Sequence, residues 1–371
     1  MPGPPLVDWS LAERIGTRLA GRSHLARPYL PGARPRSAHP PVDLTALQAE
    51  MDELRPLAEA LVTDSTGLQP AGAAVVKVVD RPEWVSVNLA AFQRLLAPLL
   101  EKWEERVGTR RGVGAQVAGR VAAVELGSLL GWMSTKVLGQ YDLLITDRTD
   151  DVGDVVYLVG PNVVGLERRF GFAPAEFRLW VLLHELTHRA QFTGVPWLAP
   201  HFTGLVHEAL TLADPDPRQL AEAARVMMRD RAEAKRRMDQ GGVLALVASA
   251  DQQAALNEIG GMMALLEGHG DVTMDRAAAG RVPSADRFGN VLKARRHSGS
   301  PAIRLFRKLT GLEGKLSQYE QGEEFIARIE RAAGTHAVDL CWEGPTRLPS
   351  LDEIRQPERW LERMGLAGQV A

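Results

Sequence analysis

Residues 180–192 read WVLLHELTHRAQF, and no other stretch restricts the fold of this chain as strongly. Its spacing is helical, and Phe177, Trp180, Val181, Leu182, Leu183 and Leu186 make its flank strongly apolar. The same stretch carries His184, Glu185 and His188, an H-E-x-x-H pattern. Any fold that buries this helix must find partners for those groups, because unpaired imidazoles and carboxylates are costly to bury. At about 100° per residue, positions four apart differ by about 40°, so both imidazoles leave one face a turn apart and can converge on one ion.

Two imidazole nitrogens at about 2.0–2.1 Å supply half of a tetrahedral zinc shell. Glu185 stands beside that face, where its carboxylate can reach a water on the ion. Zinc brings the pKa of such a water to about 7, so the pattern points to Zn2+-activated water with Glu185 as general base. A third ligand is needed. No H-x-x-G-x-x-H extension follows, since RAQFTGVPW comes after His188. The ligand is therefore expected from a second helix, in residues 262–275, MMALLEGHGDVTMD. There Glu267 and Asp271 share a face, which lets Glu267 bind the ion while Asp271 accepts the distal N–H of a ligand histidine. His269 lies about 200° round from Glu267, so it is a rival ligand or an outer partner. Glu258, His201 and His207 are further alternatives. A donor for a developing oxyanion is sought among four tyrosines, Tyr29, Tyr141, Tyr157 and Tyr319. Spacing does not choose between Tyr319 and Tyr141, and Tyr319 is the working candidate. Arg189 is expected to form an ion pair.

The rest of the chain bounds the partners. With 45% hydrophobic and 24% charged residues it belongs to the globular class. Lys plus Arg (44) against Asp plus Glu (46) leaves −2, so no electrostatic case exists for nucleic acid or an anionic membrane. The expected partner is a peptide or a small molecule, and no pattern fixes an oligomeric state. A single cysteine, Cys341, excludes an internal disulfide and a cysteine zinc cluster. The N-terminus has no secretory pattern, and the apolar helix near 121–138 is interrupted by Glu125 and Lys136, so a cytoplasmic protein is expected.

Residues 1–41, with Pro28, Pro31, Pro35, Pro40 and Pro41, are expected to form an extended arm. Residues 42–371 then make the hydrolase domain, with lobes at 42–195 and 196–371 around a metal cleft. Helices are expected near 44–61, from an Asn88 cap onward, and at 121–139, 174–192, 203–213, 216–238, 251–274, 301–312 and 316–333. AAVVKVVDRPEW and DVVYLVG supply strands, and RGVGAQVAG reads as a turn. The fold class is mainly α with a small β-sheet, an α+β arrangement with the H-E-x-x-H helix and a ligand-bearing second helix.

The blocks LGSLLGWMSTKVLGQYD, YLVGPNVVGLERRFG, FRLWVLLHELTHRAQFTGVPWL, LLEGHGDVTMD and KLSQYEQGEEFI resemble the zincin-like metalloprotease family, found mainly in actinobacteria and once a domain of unknown function. The resemblance spans about residues 80–350 and leaves the first 40 outside. It implies a largely helical zincin with His184, Glu185 and His188 at the metal. Some members are labelled as associated with biosynthesis of a deazaflavin coenzyme, and nothing here reads as a flavin site. The expected function is a zinc-dependent metallohydrolase acting on peptide bonds. The rival readings are a hydrolase of small amides or esters and a catalytically silent, zinc-stabilised scaffold.

Overall fold

The run Val155–Val159, VVYLV, has no polar face, as a strand covered on both sides requires. In the computed structural model it is β3, the middle strand of a three-stranded sheet ordered β1-β3-β2. Strand β1 (Val75–Val79) runs parallel to it and β2 (Gly139–Tyr141) antiparallel, with Val75 opposite Val155 and Gly139 opposite Leu158. The structure describes residues 6–22, 41–107, 113–142, 154–211, 250–297 and 312–366. The helix expected at 216–238, nearly all of that at 301–312, and Tyr29 lie outside these residues.

Helices make up most of what remains. They are α1 (Trp9–Arg22), α2 (Leu44–Thr66), α3 (Arg81–Val107), α4 (Val113–Met133), α5 (Gly160–Phe170), α6 (Pro174–Gly194) and α7 (Leu198–Thr211), followed by α8 (Ala250–Ala278), α9 (Ala285–His297), α10 (Leu312–Ala333), α11 (Leu351–Arg355) and α12 (Pro357–Arg363). The mainly helical fold with a small sheet is the class expected. No helix among the described residues is long and apolar enough to cross a membrane.

The chain divides into two compact units, Met1–Ala60 with Gly72–Leu186, and Leu61–Ala71 with Thr187–Ala371. In the first, α1 and α4 meet backbone to backbone: a Cβ on Gly127 would fall 2.3 Å from the Ala12 carbonyl oxygen. Their core includes Ala12, Trp84, Val85 and Leu130 with the strand residues Val155, Tyr157 and Val159. Asn162, buried on α5, braces the loop that leads into β2. Its Oδ1 accepts from Arg81 Nε at 2.7 Å, and its Nδ2 donates to the carbonyls of Ser134, at 2.7 Å, and Val137.

In the second unit α8 and α10 also cross at glycines, above a core that includes Leu265, Phe325, Ile326, Ile329 and Trp360. A Cβ on Gly268 would fall 2.3 Å from the Gly322 carbonyl carbon, and one on Gly322 would fall 2.0 Å from the Ala264 carbonyl oxygen. Backbone cannot yield as a flexible side chain does. Gly322→Ala is therefore expected to destabilise the protein by about 1–3 kcal/mol, read as a lower denaturant midpoint; an unchanged midpoint contradicts this crossing.

Three local expectations need correction. Residues 9–22, placed in an extended arm, form helix α1. The prolines that argue for extension all follow residue 27, whereas Leu11, Ala12, Ile15, Leu19 and Ala20 keep helical spacing and Asp8 Oδ1 caps the Leu11 N–H at 3.0 Å. Asn88 does not cap α3: that helix starts seven residues earlier, at Arg81, where Asp80 Oδ1 accepts from the Glu83 N–H at 2.8 Å. Asn88 instead lies buried inside the helix and accepts from Gln140 Nε2 at 3.0 Å. The RGVGAQVAG segment, read as a turn from its glycines, is helical from Val113 onward.

Candidate metal centre

Helix α6 begins with Pro174 in its first turn, where a missing N–H costs nothing. Arg178 steadies this end. Its Nε and Nη2 each donate to a Glu167 carboxylate oxygen at 2.9 Å, and its Nη1 meets Glu50. Phe177, Leu182 and Leu183 are fully buried, which fixes the rotation of the helix about its axis. One turn apart on that helix stand His184 and His188. Together with Glu267 of α8 they form a triad whose ligand atoms all lie within 4.8 Å of one another.

The spacing of this triad is informative. His188 Nε2 and Glu267 Oε2 are 3.4 Å apart. A normal N–H···O bond is shorter, about 2.9 Å, whereas two ligands on a tetrahedral ion with bonds of about 2.1 Å stand about 3.4 Å from each other. Two imidazoles and one carboxylate are also the donor set of a three-ligand catalytic zinc site. The residues fit such an ion, and the His188 and Glu267 side chains, 14% and 17% exposed, leave it within reach of solvent.

Two further residues shape the centre, and neither is singled out by the sequence pattern. Gln191, fully buried, places its Oε1 3.0 Å from His188 Nδ1. Its Nε2 donates to the Leu266 carbonyl at 3.0 Å and lies 2.9 Å from His269 Nδ1. Gly139, the first residue of β2, lies against Glu185. A Cβ there would fall 2.6 Å from both Cγ and Oε1 of that glutamate, so any side chain at 139 would displace the carboxylate from this position. The three-residue spacing from His188 to Gln191 was the available signal for the first; nothing in the sequence pairs Gly139 with Glu185.

The sequence profile of the zincin-like metallopeptidases matches residues 7–361. The chain belongs to the zincin-like metallopeptidase family. The match begins before α1 and extends well beyond residues 80–350. This zincin is also similar to the crystal structure of a "putative hydrolase with a novel fold" from Chloroflexus aurantiacus, with 27% identity, a TM-score of 0.69, and coverage of 98% of this chain and 100% of that one. No curated protein matches it. Membership implies a divalent metal and a hydrolytic function, and the triad supplies a candidate place for the ion.

The other candidate residues of the zincin lie as follows. His269 is buried and faces Gln191, with its ring edge-on to Trp342 at 5.0 Å between centroids. Burial holds its pKa down to about 3, so it is a neutral imidazole. Asp271, also buried, hydrogen-bonds Glu323, which in turn accepts from Lys293 Nζ at 3.0 Å. For His188 the partner of the distal nitrogen is the Gln191 amide. Glu258 on α8 and His201 and His207 on α7 stand outside the triad. Tyr141 and Tyr157 are buried in β2 and β3, and burial, followed by the charge of Asp142, raises the pKa of the Tyr157 hydroxyl. Tyr319 belongs to α10, and its side chain lies outside the described residues. Arg189 is buried and donates Nη2 to the Ala71 carbonyl at 3.0 Å.

Proposed function

We propose that this zincin is a zinc-dependent peptidase in which His184, His188 and Glu267 hold the metal and Glu185 is the general base. The observation that carries the reading is the three-donor cluster with a separate carboxylate, Glu185, on the same helix as two of its members. A zinc ion held there supplies Lewis acidity, which makes a water acidic near neutral pH and polarises a substrate carbonyl. Glu185 takes the proton from the attacking water and passes it to the departing amine. Its carboxylate is set by Gly139, and Gly139 by the loop that Asn162 braces. Three protein donors with partial solvent exposure favour a catalytic site over a closed structural one.

The family description supports a peptide as substrate. A cytoplasmic setting suits a chain whose one cysteine, Cys341, is a buried thiol. The test is incubation of zinc-loaded and chelator-stripped protein with a peptide library, read by mass spectrometry. Metal-dependent cleavage is expected. Hydrolysis of small amides or esters without any peptide cleavage would transfer the activity to small substrates, and inertness of the zinc-loaded protein toward all of them would leave a silent scaffold.

Gly139→Ala isolates the base from the metal. The added methyl group must push Glu185 aside, and a misplacement on the order of 1 Å can cost about 100-fold in rate. Turnover is expected to fall toward that figure while zinc affinity stays at the wild-type value. Unchanged turnover would remove Gly139 from the description of the site.

A further inference from the structure

The Gln191 amide determines more of this centre than its distance from the metal donors suggests. The Leu266 carbonyl can only accept, so the amide atom 3.0 Å from it is the nitrogen, Nε2. Oε1 therefore faces His188 Nδ1, at 3.0 Å, and since an amide oxygen only accepts, Nδ1 carries the proton. The lone pair of His188 is then on Nε2, which is the atom 3.4 Å from Glu267 Oε2. The remaining proton of Gln191 Nε2 points to His269 Nδ1 at 2.9 Å, so that nitrogen accepts. Every hydrogen-bonding direction in the chain His188, Gln191, His269 follows from one backbone carbonyl. That carbonyl belongs to the residue immediately before Glu267.

We propose that Gln191 is the positioning residue of the metal centre: it selects the Nε2-donor tautomer of His188 and ties α6 to α8 at the base of Glu267. The proposal rests on the reading of His188 and Glu267 as ligands. Metal sites usually assign this work to a carboxylate or a backbone carbonyl. Here a neutral amide does it, and a carboxylate would not substitute fully. Glu at position 191 would still accept from His188 Nδ1–H, but its second oxygen would set lone pairs against the Leu266 carbonyl and His269 Nδ1.

The test combines zinc affinity, measured by chelator competition, with 15N NMR of the histidine rings in the metal-free protein above neutral pH. In the wild type His188 is expected in the Nδ1–H form. Gln191→Leu removes all three hydrogen bonds at nearly constant volume; it is expected to weaken zinc binding by about 10–100-fold and to return His188 toward the Nε2–H form that an unconstrained histidine prefers. Gln191→Glu is expected to keep the Nδ1–H signature and still bind zinc more weakly, and it carries the test if the leucine variant does not fold. Wild-type zinc affinity with an unchanged His188 tautomer in Gln191→Leu overturns the proposal, as does a reversed tautomer in Gln191→Glu. His188→Ala and Glu267→Ala serve as controls. If they too retain zinc at wild-type affinity, the ligand assignment fails; if they lose it, a null result at Gln191 counts against the positioning role alone.

Discussion

Glu185→Gln is expected to lower turnover by about 10²–10⁴-fold while leaving the zinc content of the protein unchanged, the size usual for loss of a general base. The substitution keeps the shape of the side chain, so the tight approach of Gly139 to Cγ and Oε1 is preserved and nothing around it must move. It removes only the capacity to take up a proton. Glu185 stands outside the three-donor cluster, so metal affinity has no reason to change. The measurement pairs kcat with zinc per chain in one preparation. Undiminished turnover would place the base elsewhere, and loss of zinc would make Glu185 a ligand.

Removing a ligand has the opposite signature. Glu267→Ala and His188→Ala are each expected to weaken zinc binding by more than the roughly 10–100-fold cost of an outer partner, because a donor atom itself disappears. Stability follows by mass action: an ion that binds only the folded chain adds about 2.7 kcal/mol at a hundred times its Kd. The wild-type thermal midpoint should therefore rise with added zinc, and the midpoints of both variants should stay flat over the same range. Glu267 has a structural reason to be sensitive. The next residue, Gly268, lies against Gly322 of α10, so α8 is seated by backbone contact and cannot turn another carboxylate into the place of Glu267. A Glu267→Ala protein whose midpoint tracks zinc as the wild type does would contradict the triad.

Much of this centre is legible in the sequence because its parts are local to helices. The i, i+4 spacing places His184 and His188 on one face, and the same rule marks residues 262–275 as a segment able to present Glu267. What is not legible depends on pairs far apart in the chain. Gln191 becomes meaningful only through Leu266 and His269, 75 and 78 residues away. Gly139 lies against a carboxylate that no local pattern links to it, and β2 is too short, at three residues, to show an alternation. The misreading of α1 has a different origin. The proline-rich stretch begins only near residue 28, and the segment before it has its own aspartate cap and apolar stripe. Asn88 shows the same weakness at the scale of one side chain, since both it and Asp80 are capping residue types and only the fold decides which stands at a helix start.

Anomalous diffraction at the zinc edge from crystals of the zinc-loaded protein examines the whole arrangement at once. One peak is expected at about 2.0–2.2 Å from an imidazole nitrogen of His184, from His188 Nε2 and from a Glu267 carboxylate oxygen, with solvent as the fourth neighbour. A peak away from these residues, or a fourth protein side chain in place of solvent, would contradict a hydrolytic centre built on helices α6 and α8.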